Sequence, residues 1–309
     1  MNIVIVEPSR VVQKVLSQTL EDATHTVICY FDASIALERL RADDSVDVLI
    51  TSLQTEGMAG LELVRAARAL AGSRRALYVL VMSSSGERGT LIEALDAGAD
   101  DFIGKPPARE ELLARLRVAD RVAALQRDLI RLATIDAMTG VLNRRAFFET
   151  SAIYARSHTD AVAIFDIDRF KQINDTYGHA CGDTVIIAVA QAAAVRCPAV
   201  GRLGGEEFGM LLPGGSVKSA VDMCEAIRQD VAALRFPQID PALSLTCSFG
   251  AGEWRAGETL DEALKRADVA LYAAKSGGRN RVIAATGATN GGAVVVSAPG
   301  AQLRRRAGQ

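Results

Sequence analysis

Gly204-Gly205-Glu206-Glu207-Phe208 lies between two short apolar runs, Ala199-Val200-Gly201-Arg202-Leu203 before it and Gly209-Met210-Leu211-Leu212 after it. Two such runs meeting at a glycine pair predict a β-hairpin, because glycine supplies the positive φ that tight hairpin turns need. Two adjacent carboxylates at the turn repel each other and bury no surface. An acidic surface turn would carry such a pair. So would a site for a divalent cation, since hard cations take carboxylate and phosphate oxygens together. The sequence around the hairpin decides between these readings.

Upstream, Ala161 to Phe165 is apolar and Asp166 ends the predicted strand. If that strand neighbours the hairpin, Asp166 joins Glu206 and Glu207 at one end of a sheet. Around it run Asp136-Ala137-Met138-Thr139-Gly140-Val141-Leu142-Asn143-Arg144-Arg145, then Phe165-Asp166-Ile167-Asp168-Arg169-Phe170-Lys171-Gln172-Ile173-Asn174-Asp175-Thr176-Tyr177-Gly178-His179 with Gly182-Asp183. After the hairpin come Ala267-Asp268-Val269-Ala270-Leu271-Tyr272-Ala273-Ala274-Lys275 and Gly278-Arg279-Asn280-Arg281. Taken in order, these motifs resemble the GGDEF domains, the diguanylate cyclases, over roughly residues 135–285. Met138 stands where the family usually has leucine.

The resemblance implies the site residues. Asp166, Glu207 and the Ile167 carbonyl would be ligands of two Mg²⁺ ions per active site, with Mn²⁺ as a substitute. Glu206 would be a further ligand or the group that helps deprotonate an attacking 3′-hydroxyl. Such a metal pair polarises an α-phosphate and lowers the pKa of the attacking hydroxyl. Asn174 and Asp183 stand at the family's guanine positions. A carboxylate suits the donor edge of guanine, and an amide donates and accepts at once. Lys171, Lys275 and Arg279 match triphosphate contacts, where cations offset charge building on the leaving pyrophosphate. Each of these has a plain alternative, such as a helix cap for Asn174 or a solvated basic helix end for Lys275 and Arg279. All of them at family spacing is the stronger reading. Asp168 and Asp175 fit helix starts or surface pairs. His179 has no His or Cys partner at ligand spacing and fits a structural role. Tyr177, Phe165, Phe170 and Phe249 are expected in the core, and Trp254 in a loop. Many family members carry Arg-x-x-Asp shortly before the hairpin as an inhibitory product site. Here those positions read Val195-Arg196-Cys197-Pro198, so no such site is expected.

The N-terminal part alternates strand and helix signals five times, with strands at Ile3–Val6, Val27–Tyr30, Val46–Ser52, Leu77–Met82 and Asp101–Ile103. Five β-α repeats predict a doubly wound parallel sheet with function at the carboxyl ends of the strands. Over about the first 118 residues it resembles the receiver domain of bacterial response regulators. Gly98 to Pro106 is similar to the segment carrying the family's lysine, here Lys105. Ser83 falls on the switch hydroxyl and Phe102 on the switch aromatic. The acceptor position, however, holds Ser52, and the acidic pair after the first strand reads Glu7-Pro8. Acyl phosphate formation needs a carboxylate nucleophile and a carboxylate-bound Mg²⁺. A degenerate receiver is therefore expected, serving dimerisation or a protein partner. Gly98 to Lys105 is not a P-loop, because its glycine spacing is one residue too long and Pro106 stands where Ser or Thr should follow.

Between the two parts, Val118, Val122, Leu125, Leu129 and Leu132 are spaced four, three, four and three apart, the a/d seam of a short coiled coil. The expected organisation is a degenerate receiver (1–118), a helical coiled-coil linker (119–134), an α+β cyclase domain with a mainly antiparallel central sheet (135–285) and a disordered tail (286–309).

Composition narrows the class. The 309 residues are 49% apolar and 23% charged, with a net charge of −2, so no electrostatic footprint for nucleic acid or anionic membrane is present. Val185 to Val195 is broken by Gln191 and is too short to span a bilayer. The start, Met1-Asn2-Ile3-Val4, reads as a strand and not as a signal peptide. Five scattered cysteines without Cys-x-x-Cys suggest reduced thiols and a cytoplasmic protein. The expectation is a homodimeric cyclase using GTP, without nucleic-acid or membrane partners. The alternatives are a GGDEF-like module that binds nucleotide without turnover, a cyclase acting within one nucleotide, and a transcriptional regulator. The last lacks any helix-turn-helix or basic output domain.

Overall fold

The structure is a computed structural model and describes residues 1–72, 75–84, 88–154, 160–197 and 199–285. The expected tail and Pro198 lie outside the described residues. The chain divides into two compact units, Met1–Arg131 and Leu132–Gln309.

In the first unit the strands are β1 (Asn2–Val6), β2 (Thr26–Tyr30), β3 (Val48–Ser52), β4 (Tyr78–Ser83) and β5 (Asp101–Gly104), and the helices are α1 (Arg10–Glu21), α2 (Ala33–Ala42), α3 (Gly60–Ala71), α4 (Arg88–Asp96) and α5 (Arg109–Thr134). All strand pairs are parallel, in the order β2-β1-β3-β4-β5, as the β-α alternation predicts. The central strands are buried on both faces, which explains their unbroken apolar runs. Leu16 and Leu20 of α1 join Leu112, Leu116 and Ala119 of α5 on one face. Leu37, Leu40, Leu63 and Val64 of α2 and α3 cover the other.

α5 runs without a break past residue 118. Leu112, Leu116, Ala119 and Ala123 are buried, and Arg127 reaches back to Asp47 at 2.7 Å. The expected junction at 118 thus falls inside a helix still packed on its own unit. Val122 corrects the seam. It follows Ala119 by three residues, one helical turn, and so packs against the receiver core. Leu125, Leu129 and Leu132 do form an exposed row, at 65, 65 and 77%.

The second unit contains β6 (Leu142–Asn143), α6 (Arg144–Tyr154), β7 (Asp160–Ile167), α7 (Phe170–Tyr177), α8 (His179–Arg196), β8 (Val200–Gly204), β9 (Glu207–Leu212), α9 (Val217–Ala233), β10 (Cys247–Trp254), α10 (Leu260–Ser276) and β11 (Val282–Ala284). Its sheet has the order β11-β10-β7-β9-β8-β6. The three inner pairings are antiparallel and the two outer ones parallel. α8 and α9 pack on one face through Val185, Val189, Cys224 and Ile227, and α6 and α10 on the other through Phe147, Leu264 and Leu271.

A row of three phenylalanines crosses the sheet centre. Phe165 on β7 is paired with Phe208 on β9 and with Phe249 on β10. The rings stack at 5.0 and 4.9 Å between centroids, and all three are fully buried. Gly250 then lets α10 approach β10, since a Cβ there would meet the Ala267 carbonyl oxygen at 2.0 Å. Phe170 is buried as expected. Tyr177 is not core, because it sits at the end of α7 with its hydroxyl donating to Asp240 Oδ2 at 2.8 Å. Trp254 is not in a loop. It ends β10, is buried, and donates its indole N–H to the Glu258 carbonyl.

Removal of the central ring should cost this unit about 4 kcal/mol, the usual penalty for a buried phenylalanine. Denaturant unfolding of Phe165→Ala is expected to show that loss, and a change under about 1 kcal/mol would mean that the row does not hold the sheet.

Candidate active site

The antiparallel register that pairs Phe165 with Phe208 sets Asp166 opposite Glu207 one residue further along, with Ser248 on its other side. Ile167 follows at the strand end. Glu206, half-buried, sits in the hairpin turn beside Gly205, whose φ is +50°. The turn is pinned from two sides. Arg202 donates from Nε to the Gly205 carbonyl at 2.9 Å and pairs with Asp136 at 3.2 Å. Arg144 donates to the Leu203 carbonyl. Asp136 in turn accepts from the backbone N–H and hydroxyl of Thr139. The opening motif therefore clamps the hairpin, a role that its spacing alone did not assign.

Lys275, near the end of α10, places Nζ 2.8 Å from Asp166 Oδ2. Burial is the main reason that the Asp166 carboxyl is pushed up to about 6. Lys275 pulls it down, and the charges of Glu206 and Glu207 push it up again. Burial also raises Glu207, helped by Asp268 and opposed by Lys275 and Arg144. Among the described residues no three His, Cys, Asp or Glu side chains are gathered as a ready-made metal cage. The donor chemistry nonetheless fits a hard cation. Oxygen ligands are desolvated side by side, and their mutual repulsion is what a divalent ion would relieve.

Asn174 on α7 packs against Gly182 on α8, the residue before Asp183. A Cβ at that position would lie 1.9 Å from Asn174 Oδ1, so only glycine admits the amide. Asn174 Oδ1 is buried without a hydrogen-bond partner, a costly state unless a ligand donates to it. Asp183 is exposed beside it, and Lys171 is exposed three residues before Asn174. Arg279 has φ +65° and follows Gly278 in the turn after α10.

Sequence reasoning put Asp168 at a helix start or in a surface pair, and the structure corrects this. It is buried and accepts hydrogen bonds from Thr246 Oγ1, Ser248 Oγ and the Asn280 N–H, at 2.7, 2.7 and 3.0 Å. It ties the end of β7 to the start of β10 and to the turn carrying Arg279. A pocket of about 420 Å³ opens there, lined by Asp168, Arg169, Gln172 and Arg279 among others.

In the first unit the structure gathers the four residues expected at the receiver site. Glu7 Oε2 accepts from Ser52 Oγ at 2.5 Å and from Lys105 Nζ at 2.6 Å, and Glu7 Oε1 accepts from the Ser9 N–H. The Lys105 N–H donates to the Ser83 carbonyl. Glu7 and Ser52 are both buried. Burial pushes the Glu7 carboxyl up, but the hydrogen bonds from Lys105, Ser52 and Ser9 outweigh it and hold it below the usual carboxylate range.

A model of the family described as diguanylate cyclase, GGDEF domain, matches residues 133–281, and one of the response regulator receiver domain matches residues 3–117. By these matches a receiver domain, residues 3–117, precedes a GGDEF domain, residues 133–281. The response regulator PleD of Caulobacter vibrioides is 32% identical over 266 residues, covering 79% of this chain and 58% of PleD. Diguanylate cyclase DgcM of Escherichia coli K12 is 41% identical over 169 residues, covering 52% of this chain and 40% of DgcM. The chain thus spans about half the length of these curated relatives. Among solved structures, the coiled coil and GGDEF domain of DgcB from Caulobacter crescentus, in complex with c-di-GMP, is 35% identical, with a TM-score of 0.49. That match covers 56% of this chain and 99% of the DgcB chain. The receiver–GGDEF order expected from the motifs is the order that the family matches give.

The lowered Glu7 pKa has a definite pH consequence. The stability contributed by Glu7 is present above the unfolded value of about 4.5 and is lost as pH falls through the lower folded value. Glu7→Gln leaves Lys105 without its counter-charge and should cost the receiver unit about 3 kcal/mol at pH 7. Unfolding curves of wild type and Glu7→Gln should converge as pH falls below the lowered folded-state pKa of Glu7. Curves separated equally at every pH would contradict the ion-pair account.

Proposed function

We propose that the chain is a diguanylate cyclase that condenses two GTP into cyclic di-GMP and two pyrophosphates as a homodimer. The observation that carries this reading is the in-register pair Asp166 and Glu207, with Lys275 on Asp166, in a unit of the GGDEF family. Asp166, Glu207, Glu206 and the Ile167 carbonyl would hold two Mg²⁺ ions per site, or Mn²⁺ in their place. When bound, the ions polarise the α-phosphate and favour ionisation of the attacking hydroxyl.

This chain's residues supply the rest. Asp183 and the unpartnered Asn174 amide take the guanine edge. Lys171, Lys275 and Arg279 offset the triphosphate charge. In each half-reaction the 3′-oxygen of one GTP bonds to the α-phosphorus of the other. The bond from that phosphorus to the bridging oxygen of the β-phosphate breaks, and pyrophosphate leaves. The hydroxyl proton passes to solvent or, if Glu206 serves as base, to its carboxylate. A second, reciprocal transfer closes the ring. One unit holds one GTP, so two copies are required. The exposed Leu125, Leu129 and Leu132 row on α5 supports a parallel helix pair that would bring them together.

The receiver unit is read as regulatory or dimerising. Ser52 offers no carboxylate to phosphorylate, and Glu7 already occupies Lys105. We place the enzyme in the cytoplasm, where GTP is available and thiols stay reduced. Cys181, Cys197, Cys224 and Cys247 are free and buried, and among the described residues no helix is long and apolar enough to cross a membrane.

Incubation of purified protein with GTP and Mg²⁺ should yield cyclic di-GMP by nucleotide chromatography, with specific activity rising with protein concentration. Glu207→Ala should lower the rate about 100-fold or more. GTP binding without product at high protein concentration would favour a silent binding module. Added cyclic di-GMP should leave the initial rate unchanged, because Val195 and Arg196 stand where the inhibitory motif would begin and Arg196 is paired with Asp230. Inhibition abolished by Arg196→Ala would contradict this.

A further inference from the structure

Arg279 and Asn280 sit in the left-handed region one after the other, at φ +65° and +48°. Asparagine tolerates that conformation, whereas arginine enters it at a cost in energy. A helix end that needs one left-handed residue usually has glycine there, and Gly278 supplies it here at φ +114°. Two further residues of this kind need restraints from elsewhere. Backbone held in this way clusters at sites that clamp a ligand.

Two side chains distant in sequence supply the restraint. Asp168, buried directly after β7, accepts from the Asn280 N–H through Oδ2 at 3.0 Å, and the hydroxyls of Thr246 and Ser248 fix its carboxylate. Arg228, on α9, donates from Nη1 to Asn280 Oδ1 at 2.6 Å. Its Nε and Nη2 are held by Glu225 at 2.7 and 2.6 Å, a forked pairing that fixes the guanidinium plane. Among the described residues the side-chain bonds of Arg228 go to Glu225 and Asn280 alone. The neighbouring backbone is tied as well. The Arg279 N–H donates to the Ala274 carbonyl, and the Arg281 carbonyl accepts from the Phe249 N–H. From this turn Arg279 lines the pocket that it shares with Asp168, Arg169 and Asn280. Lys275, on Asp166, lies four residues before it.

We propose that Asp168 and Arg228 are positioning residues for phosphate recognition: together they hold the Arg279-Asn280 turn so that the Arg279 guanidinium meets the triphosphate. The proposal rests on the cyclase reading, which gives Arg279 that contact, and adds the two groups that keep the contact in place. A guanidinium held in advance binds without the entropy loss of ordering a free turn. The guanine residues Asn174 and Asp183 stand on α7 and α8, outside this turn. Loss of either restraint therefore weakens the grip on the terminal phosphates and leaves the grip on the base.

The test titrates the full chain, with Mg²⁺ present, with a non-reactive GTP analogue and separately with guanosine monophosphate. The monophosphate shares the base and lacks the terminal phosphates, so its affinity reports the folded, guanine-competent protein in each variant. Arg228→Ala should weaken the analogue about tenfold and bind the monophosphate within about twofold of wild type. Asp168→Asn, which takes one acceptor from the buried carboxylate, should show the same selective loss. Either change made in Arg279→Ala should add no further loss, because the turn then has no guanidinium to aim. Equal weakening of analogue and monophosphate, losses that add to that of Arg279→Ala, or unchanged analogue binding in Arg228→Ala would each overturn this inference alone. An Arg279→Ala variant that binds the analogue as wild type does would overturn the phosphate contact in the cyclase reading, and this inference with it.

Discussion

The GGDEF unit depends on one registration, the stacking of Phe249, Phe165 and Phe208 across three adjacent strands. Side chains alternate along a strand, so a slip of one residue would turn every ring from core to the opposite face. The buried rings exclude that slip. One residue beyond them the same register lays Ser248, Asp166 and Glu207 side by side. The apolar row thus holds two carboxylates together against their repulsion, and Lys275 offsets the charge. The energy that keeps an acidic pair desolvated comes from packing elsewhere in the same sheet. Pairing of this kind between stability and strained function is common at sites that bind cations or develop charge in a reaction.

Most of the architecture was legible in the sequence, because apolar periodicity is set by which faces are buried. The five parallel strands, the hairpin at Gly204-Gly205 and the position of Asp166 at a strand end all follow from that pattern. The misread elements have a common cause. Tyr177, Trp254 and Val122 were assigned from residue type or local spacing, whereas their environments are fixed by distant partners. The phenol of Tyr177 reaches Asp240, 63 residues away. Val122 follows the packing of a helix whose register was set by Leu112 and Leu116. Asp168 was read locally as a helix start or surface residue, whereas its three partners lie 78, 80 and 112 residues downstream. The Arg202–Asp136 clamp spans 66 residues, and only an opposite-charge pair at two quoted motifs hinted at it.

The receiver unit shows the same physics in another form. An acidic residue after β1 and a lysine after β5 converge at the carboxyl ends of the strands, as this topology dictates. With serine at position 52, Glu7 becomes the one carboxylate of the Ser52–Glu7–Lys105 network and accepts from both partners. Ser9 adds a third hydrogen bond, and the network is closed on itself. The unit offers a stable body from which α5 emerges with its exposed leucine row.

On the proposed function, Asp166 and Glu207, set in register by the phenylalanine row, hold the cation that serves the α-phosphate. Crystals grown with Mn²⁺ and a non-reactive GTP analogue would test it most directly through an anomalous difference map. A manganese peak bound by both carboxylates is expected, with Lys275 released from Asp166 toward the phosphates. Bound nucleotide with no peak at Asp166 and Glu207, or with the metal held elsewhere, would contradict it.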